Sequence, residues 1–176
     1  MSVGARNLDR VTKIVTYLEM TDPSRLNPGT EVPGLTLTLA AEERLPQVGE
    51  LMARVGAPYG WRSASRRPQD WEQWFAERPE HSFWVFELRG EAAGIVCYEP
   101  QPGSEVEIKT FGLLPEFTGK GLGGHALTLA IRQGWELRPS TRRVWLHTST
   151  EDHAHALANY HRRGLRTFKT EEEGEA

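Results

Sequence analysis

Residues 114–124 read Leu-Pro-Glu-Phe-Thr-Gly-Lys-Gly-Leu-Gly-Gly, and this run constrains the fold more than any other part of the chain. It follows residues 105–113, whose pattern predicts a strand. It precedes a stretch in which Leu127, Ala130, Ile131 and Trp135 recur at helical spacing. A glycine-rich passage from strand to helix lets the backbone adopt torsions that other residues avoid and approach a ligand closely. The helix that follows directs unpaired N–H groups and the positive end of its dipole at the same place. The segment is therefore either a tight turn that binds nothing or a cradle for phosphate oxygens, with Lys120 adding charge.

The rest of the chain supplies the frame. Residues 13–20 are rich in β-branched and aromatic side chains and predict a strand, and prolines and glycines make 22–34 a connector. Leu35, Leu37 and Leu39 alternate with threonines, a second strand. Leu45, Val48, Leu51 and Val55 recur at helical spacing, with Pro46 in the first turn. Asp70 and Gln73 have the spacing of a capping box ahead of a helix that carries Trp71, Trp74 and Phe75. Residues 83–88 and 92–98, joined by Arg89-Gly90-Glu91, predict a hairpin, and 105–113 adds a third consecutive strand. A strand over 144–148, a helix through Ala156, Leu157 and Tyr160 capped by Gly164, and a strand over 166–170 complete the order.

That order, β-β-α-α-β-β-β-α-β-α-β, predicts an α/β (α+β) fold with a mixed central sheet and helices packed on it. Residues 11–170 read as one domain, with 11–34 an additional strand and linker. Residues 1–10 are expected to be a disordered N-terminus and 171–176 a flexible acidic tail.

Composition narrows the function classes. The chain has 176 residues with a net charge of −3, so no whole-surface attraction to nucleic acid or anionic lipid is expected. No apolar run reaches the roughly 20 residues of a membrane span. Cys97 is the sole cysteine, which excludes an internal disulfide and points to a reducing, cytoplasmic compartment. It lies in an apolar strand and reads as core rather than as a nucleophile.

Three phosphate-binding readings of the glycine run compete. A Walker A loop needs Ser or Thr after Gly119-Lys120, and Gly121 stands there. A dinucleotide fingerprint matches Gly119, Gly121 and Gly124, but it belongs after the first strand of a doubly wound sheet rather than after an antiparallel meander. The third is coenzyme A, whose pyrophosphate suits the same loop and whose pantetheine arm can run along an open strand edge.

On these residues the chain resembles the GNAT superfamily of acyl-CoA-dependent N-acetyltransferases over about residues 35–170. The resemblance is strongest across 107–124 and continues through Val144-Trp145-Leu146-His147-Thr148 and the segment from His153 through Tyr160 to Gly164-Leu165. The family's pyrophosphate loop, Gln/Arg-x-x-Gly-x-Gly/Ala, falls on Thr118, Gly121 and Gly123, with Thr118 a departure.

The resemblance implies acetyl-CoA as co-substrate, no metal, and transfer of acetyl to a primary amine of a small molecule or peptide by direct attack in a ternary complex. It implies pantetheine pairing with the backbone of Phe111, Gly112 and Leu113, where Gly112 suits a bulge. Pyrophosphate binding falls to Thr118, Gly119, Lys120, Gly121, Leu122, Gly123 and Gly124. His153 stands where many relatives have an asparagine that touches the pantetheine. Tyr160 takes the position of the acid that protonates the leaving thiolate; the other reading of it is a packing residue. Glu107 takes that of a base, or else belongs to the solvent-facing row Glu105, Glu107 and Lys109. Glu105, His147 and Asp152 are reserve candidates. Tyr59, Trp61 and Arg62 lie in the loop expected over the acceptor, or else form a surface loop with one anchored indole. The histidines at 147, 153, 155 and 161 lack a recognised metal-ligand spacing. A non-catalytic acyl-CoA-binding module is the alternative class, and a homodimer is compatible with either.

Overall fold

The run of β-branched and aromatic residues at 13–20 forms β1 (Lys13–Met20), and ten further elements follow in the expected order. They are β2 (Leu35–Leu39), α1 (Leu45–Gly56), α2 (Pro68–Ala76), β3 (Ser82–Leu88), β4 (Glu91–Gln101), β5 (Glu105–Leu113), α3 (Gly123–Glu136), β6 (Arg143–Ser149), α4 (Ala156–Arg162) and β7 (Arg166–Glu173). The structure, a computed structural model, describes residues 12–174. The expectation of a disordered 1–10 lies outside them.

All seven strands join one mixed sheet in the order β2-β3-β4-β5-β6-β1-β7. The β3–β4 turn needs positive φ at Arg89 (51°) and Gly90 (84°), the geometry that matches the twist of a two-residue hairpin. Among the described residues only β5 and β6 run parallel, with α3 as the crossover between them. α3 lies close over the sheet: Tyr98 donates its hydroxyl to the Ala130 carbonyl, and Gly134 faces Tyr98 and Val144. On the other face Val55 of α1 packs against Gly112 of β5. Leu18, Val48, Val85, Ile95, Leu127, Ile131 and Val144 are at most 1% exposed and form the core between these layers. Each contributes about 1.5–3 kcal/mol of transfer free energy.

β1 is no peripheral addition. It pairs antiparallel with β6 on one side, Leu18 opposite Leu146, and with β7 on the other, Thr16 opposite Thr170. The linker after it is also structural. Asn27 donates its backbone N–H to the Arg163 carbonyl and its amide to that of Arg162, while the Gly29 N–H donates to the Thr128 hydroxyl. Residues 27–29 thus lash α4 to α3. Gly164 closes α4 at φ 101°, and a Cβ there would strike the Arg25 carbonyl of this linker.

Two local expectations are corrected. The acidic tail does not begin at 171, because β7 runs to Glu173. Glu171 accepts a hydrogen bond from the Tyr17 hydroxyl and Glu173 pairs with Lys13, so β1 supplies partners that the run of acids itself lacks. The capping box does not form either. Pro68 starts α2 two residues before Asp70, whose carboxylate instead pairs with Arg67.

Candidate functional site

β5 and β6 pair only where Glu105, Val106 and Glu107 meet Arg143, Val144 and Trp145. Beyond that point the two strands part. The cause lies on the other side of β5, where Cys97 of β4 is opposite Thr110 and Tyr98 is opposite Ile108. Lys109 is therefore an extra residue, a bulge that bends the strand and increases its twist. The bulge sits at Lys109 and not at Gly112, as the sequence had suggested. Gly112 stays in register with Ile95, and its missing side chain makes room for Val55.

A cavity of about 350 Å3 opens in the gap. Phe111, Gly112, Leu113, Thr118, Gly119, Gly121, Leu122, Gly123, Gly124 and His153, ten of the positions expected to bind coenzyme, all line it. The loop takes positive φ at Gly119 (71°) and Gly121 (77°), and nothing lies within 4 Å of where a Cβ would stand at either. No side chain caps the start of α3, so its first N–H groups are free to meet an anion. This open, glycine-lined cradle beside an unpaired strand edge fits a diphosphate followed by an amide-bearing arm. Lys120 is the exception: it is absent from the cavity wall and rests over the Phe117 ring at 5.8 Å. Thr118 turns its hydroxyl onto the Pro115 carbonyl at 2.8 Å, so its side chain is already engaged.

Tyr160 reaches this cavity from α4, 7% exposed, with Phe111 edge-on at 6.4 Å. Its hydroxyl makes no hydrogen bond among the described residues. Burial, and then the charge of Asp152, hold its pKa well above the usual phenol value, so it is a proton-bearing donor at any physiological pH. Asp152, a reserve candidate in the sequence, also lines this cavity. Its carboxylate accepts from Trp61 Nε1 (2.9 Å), Thr148 Oγ1 (2.6 Å) and the Ser149 N–H (2.9 Å), and so ties the aromatic loop to the end of β6. Tyr59 and Trp61 consequently wall this cavity, whereas Arg62 lines a second one. His153 and His155 stand in the turn before α4, where His153 Nδ1 accepts from the His155 N–H. Asn159, unremarked in the sequence, also lines the cavity and donates to the Gly123 carbonyl at 3.1 Å. Its position next to Tyr160 was the only available signal.

Glu107 stands at the fork of β5 and β6, outside the glycine-lined cavity and only 3% exposed. It is not the solvent-facing residue that the alternative reading offered. Gln101 donates to it at 2.8 Å, and Lys109 Nζ and His147 Nδ1 each stand 3.6 Å away. Burial pushes its carboxyl up, but His147, Lys109 and Gln101 outweigh that and leave it below the usual carboxylate range. A depressed pKa stabilises the fold above the unfolded-state value, and that contribution is lost as pH falls through the folded-state value. Stability should therefore drop on acidification below about pH 4.5. Glu107→Gln should be less stable at neutral pH and show a shallower acid limb in melts against pH; an identical limb would remove Glu107 from this role.

Among the described residues no three His, Cys, Asp or Glu side chains stand together as metal ligands, and no helix is long and apolar enough to cross a membrane. Cys97 is buried, and burial raises its thiol pKa.

Comparison with known proteins places this geometry. The sequence profile of the acetyltransferase (GNAT) family matches residues 49–165. No curated protein matches the chain. Among solved structures, a functionally unknown conserved protein from Staphylococcus epidermidis superposes with TM-score 0.68 at 16% identity, over 97% of this chain and 66% of that one. A GCN5-related N-acetyltransferase from Kribbella flavida gives 0.63 at 18%, over 89% of this chain and 55% of that one. Spermidine N-acetyltransferase from Vibrio cholerae, in complex with CoA and spermine, gives 0.62 at 17%, over 76% and 81%. The likeness at these identities is one of fold. The chain spans about half to two thirds of the length of the first two.

Proposed function

The chain belongs to the GNAT family of acetyltransferases, and from that premise we propose that it transfers an acetyl group from acetyl-CoA to a primary amine. The observation that carries this reading is the cavity at the β5–β6 fork, where the glycine loop, the free edge of β5 and Tyr160 share one wall.

Acetyl-CoA would supply the acyl group as an activated thioester. The N–H groups of 119–124 and the start of α3 hold its diphosphate, and the free backbone of 111–113 orients its arm. Tyr160 directs its O–H at the sulfur that leaves. A thiol lies about 1.5 units below an ordinary phenol, and Tyr160 is raised further, so its contribution is a hydrogen bond to the developing thiolate rather than loss of its proton. The proton that reaches sulfur comes finally from the amine.

Glu107 is ionised throughout the neutral range. An ordinary carboxylate is about six units less basic than an alkylamine, roughly 8 kcal/mol, so it does not strip an ammonium outright. It attracts the ammonium and positions a water that relays the proton. Any limb of the rate profile near neutral pH belongs to another group.

Acetyl-CoA at a hundredfold excess over Kd should stabilise the protein by about 2.7 kcal/mol, several degrees in Tm for a domain of this size. Thiol release on adding a panel of primary amines tests turnover in the same experiment. No thermal shift with acetyl-CoA would overturn coenzyme binding. A shift without thiol release from any amine would favour the non-catalytic module.

A further inference from the structure

A second cavity, about 630 Å3, opens between α2 and strands β4 and β5, lined by Arg62, Arg66, Arg78, His81, Glu99 and Lys109 among others. It lies on the sheet face that carries Glu107, because Glu99 and Glu107 are directly opposite in the β4–β5 ladder and so point to the same side. Thr110 lines this cavity and its neighbour Phe111 lines the coenzyme cavity, so the two are one residue of β5 apart.

The positive groups here are unevenly matched. Lys109 stands between Glu99 (3.5 Å) and Glu107 (3.6 Å), and Arg78 donates to the Trp74 carbonyl and faces Glu77 at 3.6 Å. Arg66 has no carboxylate at ion-pair distance and no hydrogen-bond acceptor among the described residues. Its guanidinium lies over the rings of Trp71 (4.5 Å) and Trp74 (4.8 Å), with Arg78 over the same Trp74 ring at 4.3 Å. Indole faces hold a guanidinium by its plane and leave its N–H edge available, and a second guanidinium nearby raises the cost of leaving it uncompensated. Arg62, exposed beside it, likewise has no acceptor among the described residues. His81 has a side chain only 9% exposed, and its Nδ1 finds no hydrogen-bond partner. Of the acids, Glu99 already faces Lys109 and His81, Glu77 faces Arg78, and Glu80 is exposed at the rim.

We propose that this cavity receives an oxyanion carried by the acceptor itself, held by Arg66 with Arg62, so that the substrates are amines bearing a carboxylate or a phosphate. The proposal rests on the acetyl-transfer reading and names its acceptor class. A guanidinium fork suits either anion, and charge-assisted bonds of this kind are the strong ones. The polarity of the site matches such a molecule: the arginines lie toward α2, and Glu99 and Glu107 lie toward the fork where the amine must react. A polyamine, cationic at every nitrogen, meets repulsion at the arginine end.

Binding of acetylated products separates this proposal from the activity, because it needs no turnover. N-acetyl amino acids would be titrated against their carboxamides, and N-acetyl-O-phosphoethanolamine against N-acetylethanolamine, by calorimetry on the full chain. At least one anionic member should bind about tenfold or more tightly than its neutral partner, and the arm in which it does so tells carboxylate from phosphate. Arg66→Gln should remove that preference and leave the acetyl-CoA thermal shift unchanged. Arg62→Gln, at an exposed position that cannot unfold the chain, should reduce it several-fold. Where amines turn over, the loss should fall on KM rather than kcat. Equal binding of both members in both arms, a preference that survives both substitutions, or spermidine acetylated faster than every anionic amine would overturn the proposal. Loss of the acetyl-transfer reading would appear separately, as a missing acetyl-CoA shift.

Discussion

A chain that begins at residue 21 is expected to show no cooperative melting transition. Among the described residues β1 is the only strand that β7 pairs with, and it fills the place between β7 and β6. Its removal opens two ladders at once and exposes Leu146, Val144 and Leu165 where Leu18 and Met20 had covered the core. Burial of a large apolar side chain is worth about 1.5–3 kcal/mol, against a total stability of roughly 5–15 kcal/mol for a domain. Losing Val15, Leu18 and Met20, about 4.5–9 kcal/mol together, and their backbone pairing with them, removes most of that margin. Circular dichroism on heating reads the outcome. A sharp transition in the shortened chain would make β1 an accessory strand and would detach the fork from the sheet's far edge.

Tyr160→Phe is expected to lower the rate of acetyl transfer by about 10²–10³, the cost of losing one donor to a developing anion, while the thermal shift on adding acetyl-CoA stays within error. The substitution keeps the ring that packs edge-on against Phe111 and removes only a hydroxyl that makes no hydrogen bond among the described residues. The resting protein should consequently be no less stable. The loss should appear in kcat and kcat/KM together, the pattern of an interaction made only as the carbon–sulfur bond breaks. Unchanged turnover would return Tyr160 to a packing role.

The site was legible in the sequence where it is local and hidden where it is not. The glycine loop could be read because its residues are contiguous and their torsions are a property of each glycine, as at Gly119 and Gly121. Lys120 was misplaced because a long side chain chooses its contacts by what folds near it, here the Phe117 ring. The bulge was expected at the glycine, yet it fell on Lys109. Which residue is left over in a ladder depends on the register of the partner strand, and that register is set along the whole length of β4. Asp152 drew notice as an acid and turned out to be an anchor, because Trp61, its partner, lies 91 positions away in sequence.

What the sequence settled by itself is the order of elements and the place of the glycine loop between strand and helix. Periodicity and turn chemistry are written within a few residues and survive without any knowledge of neighbours. What only the folded chain decided is the place of β1 between β6 and β7, the burial of Glu107 beside Gln101, Lys109 and His147, and the placing of Arg66 and His81 around one cavity. Each of these depends on strands and side chains distant in sequence coming to within a few ångströms, and alternation along a strand does not specify which strand will lie next to it.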